Sequence, residues 1–203
     1  VTGDMVLTAH FAVNQYDVAF RTDGTPGATV GGVAALTQTI AHGDDCTPVT
    51  ADAAPLGYAF ARWSLGGAEY ATATTITPTD VTEDMTFVAE YDPIYHNVVF
   101  TAGPNGSLTG SASQSVLEGH DATPVTAVPD SGYAFERWTG DFSSNADNPL
   151  TVAAVYADQA ITANFAADSD GDNLPDWWEM EHWGNLDQTD TGKISVDDRL
   201  QID

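Results

Sequence analysis

The sequence predicts a mainly β protein, made of tandem small modules followed by a short acidic segment that contains one helix. Three observations carry that prediction. First, a strand-like ending occurs three times, as DMVLTAHF (Asp4 to Phe11), DMTFVAEY (Asp84 to Tyr91) and DQAITANF (Asp158 to Phe165), with an Asp seven residues before an aromatic in each. Second, HGDDCTPVTADAAPLGYAFARWS (His42 to Ser64) parallels EGHDATPVTAVPDSGYAFERWTG (Glu118 to Gly140). Third, short β-branched or alternating runs are separated by turn-forming residues throughout, as in all-β chains.

The repeat sets the organisation. YDVAF at Tyr16 to Phe20 and HNVVF at His96 to Phe100 open equivalent units, each running into a Gly-rich turn. One β-repeat unit is therefore expected over 13–92 and a second over 93–167. Residues 1–12 read as the closing strand of a preceding, truncated repeat, and 168–203 as an acidic tail. On that reading the chain, which begins with Val1, is a slice of a longer array.

Within the second unit VVF, SLTG, SQSVL, PVTAV, PLTVAA and ITANF are the expected strands. Turns are expected at Pro104-Asn105-Gly106, at Pro129 to Gly132 and at Asn145 to Pro149, and Asn105-Gly106 predicts a tight hairpin. Strict alternation in GYAFARW would put Phe60 and Trp63 on opposite faces, so burying both requires a β-bulge or a helical turn. The bulge is the preferred reading, and Phe135 and Trp138 pose the same problem.

The opening VxF strand, the Gly-rich turn, Gly-Tyr-x-Phe-x-x-Trp and the closing strand before an aromatic resemble the internalin-type B repeats of large bacterial surface and secreted proteins. The resemblance covers about 1–167. It implies small β-grasp-like modules that serve as stalks, spacers or partner-binding surfaces, placed extracellularly or at the bacterial cell surface.

Composition narrows the function. Thirty Asp plus Glu against five Lys plus Arg give a formal charge of −25. Such a surface repels phosphate backbones and excludes nucleic acid as a partner class, while it attracts cations and positively charged partners. No run approaches a membrane span in length, so the chain is not expected to span a membrane. A lone cysteine, Cys46, allows no internal disulfide; it matches Ala122 in the other unit and reads as a small buried residue rather than a reactive thiol. None of the compared histidines recurs between units, so they read as exposed polar fillers. Arg62 and Arg137 do recur, and read as stacked on aromatics or paired with a nearby carboxylate.

The most specific chemistry lies in the tail, where 168–203 holds 11 of the 30 acids. In DSDGDNLPDWWE, Asp168, Asp170, Asp172, Asp176 and Glu179 occupy positions 1, 3, 5, 9 and 12 of a twelve-residue calcium loop. Leu174 offers its backbone carbonyl at position 7. Short Asp side chains at alternate loop positions can converge on one hard cation, and Glu179 can reach back from the first turn of a helix begun at Pro175. Asn173 stands where an EF-hand loop has Gly, and Asn tolerates the left-handed conformation required there. The run resembles the calcium-binding thrombospondin type 3-like repeats of bacterial exported proteins, which implies Ca²⁺ as the bound ion.

A second, weaker loop resembles a degenerate dockerin half: Asp187, Thr189, Thr191, Lys193 (by its carbonyl), Ser195 and Asp198. A plain turn followed by a capping box, with Ser195 as cap, explains the same residues. Between the loops Leu174, Trp177, Met180 and Trp183 form a stripe for a short helix ending at Gly184, expected to pack inward. Trp178, off that stripe, is the expected exposed aromatic.

Three classes of function follow. The first is a non-catalytic spacer or adhesion segment with a calcium-stabilised junction, its partners being flanking repeats of the parent and an unidentified protein or glycan. The alternative is a carbohydrate-binding accessory module of an exported glycan-degrading protein, which requires a row of exposed aromatics drawn from Tyr58, Tyr133 and Trp178. An enzyme is not expected, since no nucleophile elbow, phosphate loop, zinc-type cluster or recurrent base is present.

Overall fold

A computed structural model describes residues 4, 8–141, 146–184 and 186. Among the described residues the protein is mainly β with a single short helix, and its sheets are open. It divides into two compact units, Val1–Pro93 and Ile94–Asp203.

In the first unit the strands are β1 (Gln15–Thr22), β2 (Ala35–Ala41), β3 (Val49–Thr50), β4 (Tyr58–Leu65), β5 (Ala68–Ala71), β6 (Thr75–Ile76) and β7 (Met85–Pro93). The main sheet has the order β2-β1-β7-β4-β5, and β3 and β6 pair separately. The closing strand β7 lies at the centre, parallel to β1 and antiparallel to β4. That central place explains the alternation in DMTFVAEY. Phe87, Ala89 and Tyr91 point inward and are buried, while the residues between them are half-buried. Phe20 stacks on Phe87 with ring centroids 5.4 Å apart and meets Trp63 edge-on at 6.1 Å. These aromatics carry much of the burial energy of so small a core.

The second unit repeats the plan with β8 (Tyr95–Ala102), β9 (Gly106–Thr109), β10 (Ser113–Leu117), β11 (Thr126–Pro129), β12 (Tyr133–Gly140) and β13 (Gln159–Ala167). Its sheet runs β10-β8-β13-β12, again with the closing strand central and parallel to the opening one. Phe100 and Trp138 meet edge-on at 5.7 Å in its core.

The GYxF segment is a bulged strand in both units. The register shifts between Phe60 and Arg62 in β4 and between Phe135 and Arg137 in β12. The extra residue turns Phe60 toward Trp63 (6.4 Å) and Phe135 toward Trp138 (5.5 Å), so both aromatics of each pair reach one core.

Two expectations are corrected here. Asn105-Gly106 does not close a β8–β9 hairpin, because β9 pairs with β11 instead. The chain turns a corner at Asn105, whose φ is 70°, and leaves the main sheet. Glycine is required at 106 because a Cβ there would sit 2.3 Å from the Phe165 ring. His96 is no exposed filler: its Nε2 lies 3.1 Å from Glu118 Oε2, with the side chain largely covered. Cys46 is buried as expected, and burial raises its thiol pKa. Arg62 pairs with Glu90 at 2.8 Å and Arg137 with Glu136 at 2.7 Å.

A set of polar clamps recurs in the two units. The Gln38 side chain accepts from the Thr47 N–H and donates to its carbonyl, and Gln114 does the same for Thr123. Asp45 accepts the N–H of Asp80 and Asp121 that of Ala154, two residues in the left-handed region at φ 52° and 48°. The Trp63 and Trp138 indoles donate to the carbonyls of Thr74 and Asp147. Each clamp satisfies backbone groups that the short sheets leave unpaired.

Candidate metal centre

The acidic loop leaves β13 at Asp168 and enters helix α1 (Asp176–His182). Asp168 is buried, and its N–H donates to the Gly132 carbonyl at 3.0 Å, which ties the loop to the turn before β12. The loop curls back on itself through its own carboxylates. Asp168 accepts from the N–H groups of Gly171 (2.8 Å) and Asn173 (3.0 Å), and Asp172 accepts from that of Leu174 (2.8 Å). Asn173 takes φ 72° and Gly171 φ 83°, so the departure from an EF-hand's Gly at position 6 is accommodated as the residue types predict.

This curl brings Asp168, Asp170 and Asp172 together, with ligand atoms all within 4.8 Å of one another. Oxygens at that separation can share one cation at about 2.4 Å, the distance calcium takes. Asp176 is used differently. Its two oxygens accept from the Ser169 N–H and hydroxyl, both at 2.7 Å, and so close the loop.

Glu179 is not one of that group of three but lies in its electrostatic field. It is fully buried, and neither carboxylate oxygen has a hydrogen-bond partner among the described residues. Burial, and then the charges of Asp170, Asp172, Asp176 and Asp168, push its pKa up to about 7. Desolvation and the Asp172 charge likewise raise Asp170. A buried carboxylate without a donor, in the field of four others, is costly unless a cation is supplied. The residues present therefore fit a hard divalent ion: oxygen donors only, most of them charged.

The helix is corrected against the predicted stripe. Trp177 and Met180 are 45% and 52% exposed, whereas Trp178 is 5% exposed and Glu179 0%. The seven-residue helix begins only at Asp176, so Leu174 is not on it, and the inward face is 178/179 rather than 177/180. Trp178 stacks on His182 at 4.1 Å and meets Trp183 edge-on at 5.0 Å. Gly184, at φ 75°, ends the helix as expected, its N–H bonded to the Glu179 carbonyl. With Trp178 buried and Tyr58 and Tyr133 half-buried, these three residues do not form an exposed aromatic row. The second predicted loop, with Asp187, Thr189, Thr191, Lys193, Ser195 and Asp198, lies outside the described residues.

A duplicated open-sheet module, with Phe20, Trp63 and Phe87 filling one small core and Phe100 and Trp138 the other, defines a class, that of tandem β-repeat modules. The chain belongs to the divergent InlB B-repeat domain family, whose model matches residues 24–95 and 96–169, more than two thirds of its length. Repeats of this family are typical of bacterial surface proteins and suggest a non-enzymatic module. No curated protein matches the chain. No helix among the described residues is long and apolar enough to cross a membrane. The family match stops at 169 and so does not cover the acidic loop beyond that residue.

Proposed function

We propose that this chain is a non-catalytic spacer or adhesion segment of a bacterial surface or secreted protein, with a calcium ion stapling the segment that follows its last repeat. Asp168, Asp170, Asp172 and Glu179 would hold the ion by their carboxylates and Leu174 by its carbonyl. Asp176 would keep the loop closed around it. The observation that carries this reading is the Glu179 carboxylate, fully buried with no hydrogen-bond donor among the described residues. Calcium bound only by the folded segment adds its binding energy to stability, about 2.7 kcal/mol at a free concentration one hundred times Kd. The Asp187–Asp198 loop is a candidate for a second ion.

Calcium titration calorimetry on the metal-stripped chain tests this, beside an Asp170→Ala, Asp172→Ala double variant. One ion per chain, lost in the variant, supports the first loop; two per chain add the second. No heat, with a melting curve indifferent to chelator, overturns the calcium reading and leaves a β-repeat spacer.

A further inference from the structure

We propose that the outer edge of β2 in the first repeat is a strand-addition site for an extended, lysine- or arginine-flanked segment of another protein. The inference is independent of the metal centre.

β2 lies at one end of its sheet, and its seven residues, ALTQTIA, contain no charge and no proline. Its pairing with β1 is regular along the whole strand, without a bulge. His42 N–H donates to the Asn14 carbonyl and Thr22 N–H to that of Ala34, and in this register even-numbered residues of β2 face β1. Ala35, Thr37 and Thr39 therefore direct their N–H and C=O groups away from the sheet. All three are exposed, and no backbone partner meets them on that side among the described residues. Charge, proline and bulges are the usual means of protecting an edge from pairing, and this strand carries none of them.

The second repeat makes the contrast. Its corresponding edge strand, β10, is shorter, and by the same register Ser113, Ser115 and Leu117 face outward. There the Ser113 carbonyl accepts from the Ser111 hydroxyl and the Leu117 carbonyl from the His120 N–H, so only Ser115 keeps both groups free. In β2 the carbonyl of Ala41 is occupied in the same way, by Asp44, but three consecutive outward residues stay open.

Charge selects the occupant. Asp17, whose carboxylate accepts from the Thr39 hydroxyl at 2.9 Å, lies beside the edge, and exposed Asp44 and Asp45 follow its C-terminal end. Arg21 stands opposite Ala35 at the other end. A second copy of this chain would bring −25 against −25 and set these aspartates against themselves. A cationic strand meets complementary charge, with its positive residues at the Ala41 end, and adds main-chain bonds to the open row.

The test is titration of the isotopically labelled full chain with the peptide Lys-Lys-Val-Thr-Val-Thr-Val, whose lysines fall at the Ala41 end in antiparallel pairing, read by amide shifts and hydrogen exchange. The expected result is shifts and protection at Ala35, Thr37 and Thr39 in preference to β10. Affinity should fall with salt, and should fall roughly tenfold or more when the peptide's central backbone nitrogens are methylated. Thr37→Pro should weaken binding as well; the methylated peptide reports the same bonds without any change to the chain. Equal binding of the methylated peptide, or shifts spread over the acidic surface, would show charge attraction alone and overturn the proposal. Dimerisation through β2 in sedimentation velocity would overturn it too, by making the occupant a second copy.

Discussion

The Asp84 carboxylate accepts the backbone N–H of Asp17 at 2.9 Å, holding the entry of the closing strand against that of the opening strand, 67 residues earlier. Asp158 holds Asn97 in the same way at 2.8 Å. The parallel ladder begins one residue further on in both repeats, at Val18 and at Val98, so the carboxylate supplies the acceptor that the ladder does not yet provide. This is the work of the Asp seven residues ahead of the aromatic. Asp84→Ala and Asp158→Ala should each lower the stability of their own repeat by about 1 kcal/mol, read from urea midpoints. An unchanged midpoint would mean that water replaces the carboxylate without loss.

Gly106 lies under the Phe165 ring, and any side chain there must displace it. Gly106→Ala should cost the second repeat about 1–3 kcal/mol. A companion Phe165→Leu change should recover part of the loss in a double-mutant cycle. Strict additivity of the two changes would count against the contact.

Ala154 holds φ 48°, a conformation an L residue adopts at a cost, kept in place by the bond from its N–H to Asp121. Ala154→Gly should stabilise the second repeat by about 1 kcal/mol, measured as a rise in its melting temperature. Asp121→Ala should act in the opposite direction.

The Thr29 hydroxyl and then the Gly32 N–H, both donating to Asp52, hold its carboxyl below its usual pKa of 3.8. A lowered carboxylate pKa gives stability that is present above the unfolded-state value and is lost as pH falls through the folded one. The first repeat should therefore weaken below about pH 4, and Asp52→Asn should flatten that acid limb. An identical acid limb in the variant would assign it to other carboxylates.

Glu179→Gln removes a buried charge that has no donor among the described residues. In chelator the variant should melt above the unsubstituted chain, whereas in calcium its gain on metal addition should shrink. A variant that loses stability in chelator would place the carboxylate in a bond the metal-free segment needs.

Much of the fold was legible because each repeat checks the other. Two copies of Gly-Tyr-x-Phe-x-x-Trp with the same conflict of alternation pointed to a bulge, and period-two patterning marked the closing strand. The recurrence of Gln38 with Gln114 and of Asp45 with Asp121 was open to the same comparison. What they clamp was not, since the bonded groups are backbone amides brought near only by folding. The stripe through Trp177 and Met180 misled because it assumed a helix running from Leu174, and a short helix started two residues later presents a different face.

By itself, then, the sequence determined the repetition, the strand pattern and the spacing of the acids at 168, 170, 172, 176 and 179, because these are periodicities of one chain and need no partner. Tertiary structure decided which edges stay open, why Gly106 must be glycine, and that Asp176 turns to Ser169 while Glu179 is buried without a donor among the described residues. Those outcomes depend on which surfaces meet after collapse, and burial changes the energy of a carboxylate far more than its place in a motif does.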